Sequence, residues 1–441
     1  MIASQAILGG GHLAEKGQVI MALSDDDEQG KDPTMERGLV GRAAGSLQVN
    51  PSIISYGLFV MTVTHMLTHV FTRIHTTLFP VLQTEFSLSL QQLGLIAAIP
   101  ALCQALLSIP TGLLSDRLGS RLMIVVALVV ATGGALLASQ ALTPVMLIVA
   151  VSLVYVNTTV YHPAAYSFVT RLFDPRTRLK ALGIHGAGGT LGVALGPISI
   201  TILMGFFAFG WRQVYLFWSL PLVLGIVAVL FLRSAPKDDV GVVFAADAPK
   251  AGFSSLLTSS MIMFLVYIAV RAMATSMSQS FMALYLVDNR GFSGPVTSTL
   301  IGLNTLVGIA GATMGGFFAV RYGEKRWLLV ILSLSYLCYG LAILIPSNPT
   351  FVGLYMAYGF LTYLGMAANA AIMAKLSPGK QRGLAFALFF LPGSLVGAVA
   401  PLIGASIGDT FGLVTIFYVA TFLFFLSLGV LRFGVRLRPS T

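Results

Sequence analysis

Ionisable side chains interrupt one of the apolar parts of the sequence, around residues 63–80. His65, His69, Arg73 and His75 stand there, among residues that would otherwise suit a lipid environment. An imidazole takes up and releases a proton near neutral pH. A guanidinium holds a carboxylate or phosphate through its planar fork. These residue types therefore predict proton transfer or anion binding, provided that the surrounding segments bring them together.

The composition indicates the class of protein that carries these residues. The chain has 441 residues, of which 56% are hydrophobic and only 10% are charged, and its mean hydropathy is +0.88. So little charge cannot cover a soluble protein of this size, which indicates a multi-pass protein of the lipid bilayer. Cys103 and Cys338 lie in separate apolar segments and predict no disulfide or metal site. No basic cluster in a soluble domain points to nucleic-acid binding.

Twelve apolar runs of about 20 residues, the length that crosses a bilayer, organise the chain. They predict an all-α membrane protein with two six-helix halves, at 51–232 and 258–434. The polar segments predict a disordered cytoplasmic tail at 1–50, a cytoplasmic linker at 233–257 and a short cytoplasmic tail at 435–441. The spans are expected near 54–80, 90–114, 122–139, 144–170, 179–207, 211–232, 258–287, 296–320, 326–345, 351–376, 383–408 and 412–434.

The loop charges predict the orientation. Lys and Arg are concentrated in alternate loops, whereas the other loops hold only Arg212 and Arg290. Because cytoplasmic loops carry the excess of basic residues, both termini are expected in the cytoplasm, with the chain in the cell's inner (plasma) membrane.

The two halves repeat at a fixed offset of 204 residues. "GLLSDRLGSR" at 112–121 aligns with "GFFAVRYGEK" at 316–325, and the segments beginning at 178 and 382 align at the same offset. Two ungapped matches at one offset predict duplicated, pseudo-symmetric halves, an arrangement found in transporters that rock around a site at the membrane midplane.

The loop after the second span resembles the signature of the major facilitator superfamily. The matching residues are Gly112, Asp116, Arg117, Gly119 and Arg121, although Ser120 stands where a basic residue is usual. The resemblance covers about residues 50–435 and implies a twelve-helix secondary transporter that works by alternating access, with no enzymatic activity. It also implies that Asp116 meets the start of the eleventh helix. The second copy has Val320 at the Asp116 position, so that contact is expected in one half only.

The fifth span carries small residues at a regular spacing: Gly183, Gly192, Gly196 and Pro197. The pattern resembles the antiporter signature of the exporter branches, although Ile200 and Thr201 replace its trailing glycines. Small residues also let helices approach closely, so tight packing without any bearing on transport direction is the alternative.

Two further resemblances concern the substrate. "YHPAAYSF" at 161–168, followed by the fifth span, is similar to the fosmidomycin-resistance branch, which implies export of an anionic phosphonate. Arginines on the first and seventh spans also resemble those of the organophosphate–phosphate antiporters, which hold phosphate with a histidine on the fifth helix nearby. Arg271 and His185 suit that pattern, whereas Arg73 lies nearer the outside than a symmetric partner should.

Arg73 and Arg271 are the two basic residues that remain once those of the tail, the loops and the span ends are set aside, and no Asp or Glu lies at the centre of a span. A charge inside the membrane needs a partner. With no carboxylate available, the simplest partner is an anionic substrate, which argues against cationic drugs or metal ions as cargo. The alternatives are that Arg73 reaches headgroups or Glu85 and that Arg271 pairs with helix carbonyls.

Helical geometry groups other polar residues with the arginines. His65, His69 and Arg73 share a face of the first span, and Tyr267 and Arg271 share one of the seventh. The repeat offset sets Arg271 at the level of Leu67, so it is expected to face His65 and His69 across a central cavity. The predicted substrate-binding residues are Arg271, His65, His69, Arg73, Asn157, Tyr161, Tyr267 and Gln279.

Four histidines are candidates for proton coupling or gating. His65 and His69 are the preferred proton carriers, with a satisfied buried polar pair as the alternative. His162 is expected to point away from the face of Asn157 and Tyr161, just before a kink at Pro163. His162 and His185 both fall in the inner half, where an inner gate or simple packing would explain them.

The sequence thus predicts a monomeric secondary transporter that moves a small organic anion, by proton-coupled export. The alternative is an importer or exchanger of organophosphates or carboxylates. A remote alternative is a membrane sensor or scaffold that transports nothing. Protons are the expected coupling ion, and neither a cofactor nor a bound metal is expected.

Overall fold

The computed structural model describes residues 51–173, 175–232, 257–377 and 382–437, and these are almost entirely helical, with no β-strand among them. The predicted tail at 1–50, residues 233–256 of the predicted linker and the last residues of the chain, 438–441, lie outside the described residues.

The first half contains eight helical segments. They are α1 Pro51–Val70, α2 Ile74–Thr77, α3 Phe79–Phe86, α4 Leu90–Leu118, α5 Ser120–Ser139, α6 Pro144–Leu172, α7 Pro175–Ile200, which continues as a π-helical turn Thr201–Phe206, and α8 Trp211–Leu230.

The second half contains seven. They are α9 Ser259–Leu284, which continues as a π-helical turn Tyr285–Asn289, α10 Gly294–Tyr322, α11 Glu324–Leu344, α12 Asn348–Leu364, α13 Met366–Leu376, α14 Arg382–Phe411 and α15 Leu413–Gly429, which continues as a π-helical turn Val430–Gly434.

Eleven helical stretches of the described part are long and apolar enough to cross a membrane. They follow the second to twelfth predicted spans in order, with α12 and α13 together forming one of them. The first predicted span is not one of the eleven, and in the structure it is divided among α1, α2 and α3. The expectation of one continuous helix over 54–80 is therefore wrong.

The first span breaks at residues 71–73, which form a turn between α1 and α2. Inside a bilayer, the carbonyls that such a break frees need new partners. The Tyr155 hydroxyl donates to the Thr72 carbonyl oxygen over 2.9 Å, and the Thr77 hydroxyl donates to that of Arg73 over 2.7 Å. Tertiary and local side-chain bonds thus stabilise the break beside Arg73.

The turns that follow the second span of each half have the same backbone conformation. Gly119 and Gly323, 204 residues apart, both have φ +83°. This left-handed region favours glycine, because a β-carbon would be strained there. The repeat seen in the sequence is therefore also present in the geometry of these two turns.

Glycines bring α7 directly against α1. A β-carbon at Gly192 would overlap the carbonyl oxygen of Met66, and one at Gly196 would overlap that of Val70. Gly183, by contrast, has nothing within 4 Å of where its β-carbon would lie. Close packing therefore accounts for Gly192 and Gly196 but not for Gly183.

Side-chain hydrogen bonds join the two halves at the predicted outer end. The hydroxyls of Thr201 and Thr299 lie 3.0 Å apart, and the backbone N–H of Gln91 donates to Asp409 over 3.3 Å. These bonds link α7 to α10 and α4 to α14, so they close the bundle above the residues predicted to bind substrate.

Candidate functional site

Four imidazoles converge between α1, α6 and α7, and we call His65, His69, His162 and His185 the histidine cluster. The Nε2 atom of His162 lies 3.2 Å from His65 Nε2 and 3.1 Å from His69 Nε2. The ring of His185 stacks on that of His65 with centroids 4.2 Å apart. His162 thus bridges the two α1 histidines.

The main chain determines which nitrogen of His65 carries hydrogen. Its Nδ1 atom lies 2.7 Å from the carbonyl oxygen of His185, which can only accept. His65 Nδ1 therefore donates, and the neutral ring has its lone pair on Nε2. That lone pair faces His162, so the cluster is arranged to share a proton or another cation.

The surroundings hold the His65 ring in place. A β-carbon at Gly189 would lie 2.6 Å from its Cε1 atom, so the glycine makes room for the ring. His185 is fully buried with its Nδ1 3.1 Å from the Met61 carbonyl oxygen, and its Nε2 has no hydrogen-bond partner among the described residues.

The two arginines lie in opposite halves and are both half-buried. Arg73, at the break between α1 and α2, donates from Nη2 to the side-chain oxygen of Gln279 on α9 over 2.7 Å. Arg271 lies among the tyrosines of the second half. Both guanidiniums are within electrostatic reach of the Tyr358 hydroxyl. Tyr358 of the second half is therefore a residue near both cations.

Buried tyrosines surround these arginines. The hydroxyls near Arg271 belong to Tyr267, Tyr336 and Tyr358, and Tyr355 lies near Arg73. All four side chains are buried. Tyr267 was predicted from the sequence, whereas Tyr336, Tyr355 and Tyr358 were not, although tyrosines recur within the spans at 326–345 and 351–376.

Some predicted site residues are placed differently. Asn157 is buried and donates to the Val154 carbonyl oxygen over 3.3 Å, within its own helix. Tyr161 is buried with its hydroxyl donating to the Met61 carbonyl oxygen over 3.0 Å, and it also contacts Thr64. Both hydroxyl contacts go to α1, so Tyr161 supports the helix that carries the histidines.

His162 was expected to point away from the face of Asn157 and Tyr161, and in the structure its ring lies against His65 and His69 of α1. Arg271 was expected to face these histidines, but its described neighbours are tyrosines, and the neighbours of the histidines are mainly one another. Tyr267 donates to Asn369 over 3.0 Å.

Arg73 does not pair with Glu85, one of the alternatives weighed for it. Glu85 forms an ion pair with Arg212 at 2.7 Å and accepts a hydrogen bond from the Trp211 indole. Arg73 is thus left with the neutral Gln279 as its described side-chain partner.

The signature between the second and third spans is described only in part. Gly119 forms the turn, and Arg121 donates to the carbonyl oxygen of Leu230 at the end of α8. Gly112, Asp116 and Arg117 lie on α4, but their side chains are outside the described part, and the expected contact of Asp116 stays a prediction.

Comparison with known proteins identifies relatives over most of the chain. The family model of the Major Facilitator Superfamily matches residues 61–348 and 264–441. The chain is 26% identical to the uncharacterized MFS-type transporter YfnC of Bacillus subtilis, over 85% of this chain and 91% of that protein. It is 25% identical to the hexuronate transporter of the same organism, over 80% and 88% of the two chains.

Two further matches bear on the predicted resemblances. The fosmidomycin resistance protein of Escherichia coli is 25% identical, but over only 38% of this chain and 40% of that protein, which makes the link to that branch weak. The crystal structure of a bacterial homologue of the human lysosomal transporter Spinster superposes with a TM-score of 0.76. It covers 88% of this chain and 99% of the other, at 18% identity, and so bears on the fold alone.

Proposed function

The chain belongs to the Major Facilitator Superfamily, and on that premise we propose that it transports a small organic anion held between Arg73 and Arg271. It is a multi-pass membrane protein of a family of secondary transporters. The identity of the substrate, the coupling ion and the direction of transport are what we propose.

One observation carries the choice of an anion. Arg73 and Arg271 are half-buried inside the bundle, and in the described ranges neither has a carboxylate partner. An unpaired charge in the membrane interior is costly. An anion that accepts from both guanidiniums would offset that cost with short, charge-assisted hydrogen bonds.

The position of the arginines suits alternating access. Arg73 belongs to the first half and Arg271 to the second, so an anion between them would contact both moving bodies. The tyrosine hydroxyls around Arg271 would supply further donors. Gln279 would release Arg73 when substrate takes its place, because a charged acceptor binds a guanidinium more strongly than a neutral amide does.

Proton coupling through His65 or His69 is part of the proposal. Their imidazoles lie in a cluster whose nitrogen atoms face one another, where a proton can be held between rings. Histidine is the side chain that ordinarily changes charge near neutral pH.

Both termini are proposed to lie on the cytoplasmic side, with the protein working as a monomer.

Export is the preferred direction, on the weak likeness to the fosmidomycin resistance protein. The relative named for hexuronate, a carboxylate, favours the second candidate, an importer or exchanger of carboxylates or organophosphates. Growth would separate the two, since expression of an exporter gives resistance to a toxic anion and expression of an importer gives sensitisation. A sensor or scaffold would change neither.

The experiment is thermal stabilisation of the purified protein by a ligand panel. Phosphonates, phosphate esters, mono- and dicarboxylates, organic cations and neutral sugars would be compared on the native protein, on Arg271→Gln and on Arg321→Gln. Arg321 is a matched control, because it is exposed at the end of α10. Stabilisation by one anion class that Arg271→Gln loses and Arg321→Gln keeps would support the proposal. Stabilisation by cations or sugars, unchanged in Arg271→Gln, would refute it.

A further inference from the structure

We propose that His65, His69 and His162 form a binding site for a divalent transition-metal ion of the zinc class. One ligand nitrogen from each ring can be chosen so that all three lie within 4.8 Å of one another. No sequence motif predicted this site, because its ligands come from α1 and α6, more than ninety positions apart along the chain.

The spacing of the nitrogens fits a tetrahedral ion. With zinc–nitrogen bonds near 2.05 Å, two ligands of a tetrahedron lie about 3.3 Å apart. The two distances from His162 Nε2, 3.2 Å to His65 and 3.1 Å to His69, are close to that value. The third pair lies within 4.8 Å, so an ion would draw His69 towards His65 by at most about 1.5 Å.

The hydrogen bonds behind the rings prepare the lone pairs for a cation. His65 Nδ1 donates to the His185 carbonyl oxygen over 2.7 Å, which leaves Nε2 free to coordinate. His69 Nδ1 lies 3.4 Å from the Thr72 hydroxyl. Backbone and hydroxyl partners of this kind orient metal-bound histidines. When His65 and His162 both carry their hydrogen on Nδ1, their Nε2 lone pairs face each other over 3.2 Å, and a metal ion between them accepts both.

The site also offers room and access. His69 and His162 are half-buried, and a cavity of about 60 Å³ beside His69 has Thr68, Thr72 and Gln104 in its walls. A water or an anion would complete the four ligands of the ion. Tyr166, 44% exposed, stacks on His162, so one ring separates the cluster from the exposed surface of the described part.

The expectation that the chain holds no metal rested on its two separated cysteines, and the lack of acids within the spans argued against metal ions as cargo. That argument suits Mg²⁺ and Ca²⁺, which prefer oxygen ligands, but not zinc-class ions, which three imidazoles can bind. Imidazole nitrogens alone therefore select Zn²⁺, Co²⁺, Ni²⁺ or Cu²⁺ over the hard cations.

Metal binding would also affect transport. The metal site itself does not depend on the proposed function, but this effect on transport does. An ion held by the cluster occupies the nitrogens that proton coupling would use. Micromolar Zn²⁺ should therefore inhibit proton-driven anion flux, and a chelator should restore it.

The site is tested by cobalt spectroscopy on the full chain, purified in detergent, freed of any histidine tag and stripped with a chelator. Co²⁺ added to the native protein should give the strong visible bands of a tetrahedral ion, and Zn²⁺ should abolish them. His162→Gln and His69→Gln should each weaken Co²⁺ binding by at least about 100-fold, more than the loss typical of a residue that only supports a ligand. His75→Gln, a buried histidine of α2 outside the cluster, should leave binding unchanged.

Absence of Co²⁺ bands in the native protein, or bands of equal strength in a folded His162→Gln protein, would overturn the site. Thermal unfolding of each variant establishes that it is folded. If His162→Gln does not fold, His69→Gln takes its place in the comparison with the native protein. Metal binding without any anion flux would refute the proposed function and leave the site standing. Anion flux without metal binding would refute the metal site and leave the proposed function standing.

Discussion

Arg73, at the break in the first span, donates a 2.7 Å hydrogen bond to the side-chain oxygen of Gln279 on α9. This bond crosses from one half of the molecule to the other and pairs a charged donor with a neutral acceptor. It leaves the charge of Arg73 without a carboxylate partner among the described residues and directs its guanidinium towards the second half, which carries Arg271. The account of anion transport depends on this arrangement.

Gln279→Glu should convert the bond into an internal ion pair. A carboxylate at hydrogen-bond distance from Arg73 would compete with any bound anion, because it offers the same acceptor at a fixed position. We expect a higher unfolding temperature without ligand and a loss of stabilisation by the anion. The measurement is thermal unfolding with and without the anion that the ligand panel identifies.

Gln279→Ala is the matched control for that change. It removes the neutral acceptor without adding a carboxylate, so stabilisation by the anion should persist. If Gln279→Glu kept the full response to the anion, Arg73 would not be part of the binding site.

Gly192→Ala should destabilise the protein. The added β-carbon would overlap the Met66 carbonyl oxygen. Separating α7 from α1 to relieve that overlap should cost about 1–3 kcal/mol, the usual effect of overpacking. Gly183→Ala is the control on the same helix, because its β-carbon meets nothing within 4 Å and its helix propensity improves by up to about 1 kcal/mol. Equal unfolding temperatures for the two variants would contradict the packing role of Gly192.

Tyr155→Phe should destabilise the break in the first span. The variant leaves the Thr72 carbonyl oxygen without the hydroxyl that now donates to it over 2.9 Å. An unsatisfied buried acceptor costs about 1–3 kcal/mol. Thermal unfolding and initial flux should both fall, whereas Tyr418→Phe, on an exposed tyrosine of α15, should change neither. Normal flux in Tyr155→Phe would mean that the break does not depend on this bond.

Replacing both His65 and His69 by Gln should uncouple transport from protons. Glutamine keeps hydrogen-bonding capacity but cannot change charge near neutral pH. In liposomes, an imposed pH gradient should drive anion flux by the native protein and by His75→Gln, but not by the double variant. Full gradient-driven flux in the double variant would exclude coupling through these two residues.

The helices of the bundle were predictable because hydropathy dominates this sequence. Eleven of the twelve predicted spans correspond to apolar helical stretches, and the repeat offset places Gly119 and Gly323 at equivalent turns. The break at 71–73 was not predictable, since Phe71, Thr72 and Arg73 include neither proline nor glycine. A carbonyl freed there accepts a hydrogen bond from Tyr155, which lies more than eighty residues away along the chain.

The candidate site was predictable in residue type but not in arrangement. A search for ionisable residues within the spans finds both arginines and all four members of the histidine cluster. An ideal helical wheel does not show that His162, which directly precedes Pro163 inside α6, meets His65 and His69. Tyr336, Tyr355 and Tyr358 were overlooked because a neutral hydroxyl gives no charge signal, although they lie near the two arginines.

The most direct test of the account is a double-mutant cycle on anion binding. Calorimetry would measure the affinity of the identified anion for the native protein, Arg73→Gln, Arg271→Gln and the double variant. Each single change should weaken binding by about tenfold to a hundredfold, as expected for a charge-assisted hydrogen bond worth about 1.5–3 kcal/mol. If one anion contacts both guanidiniums, the double variant should differ from the sum of the single effects. Unchanged affinity in Arg73→Gln and in Arg271→Gln would contradict the central claim.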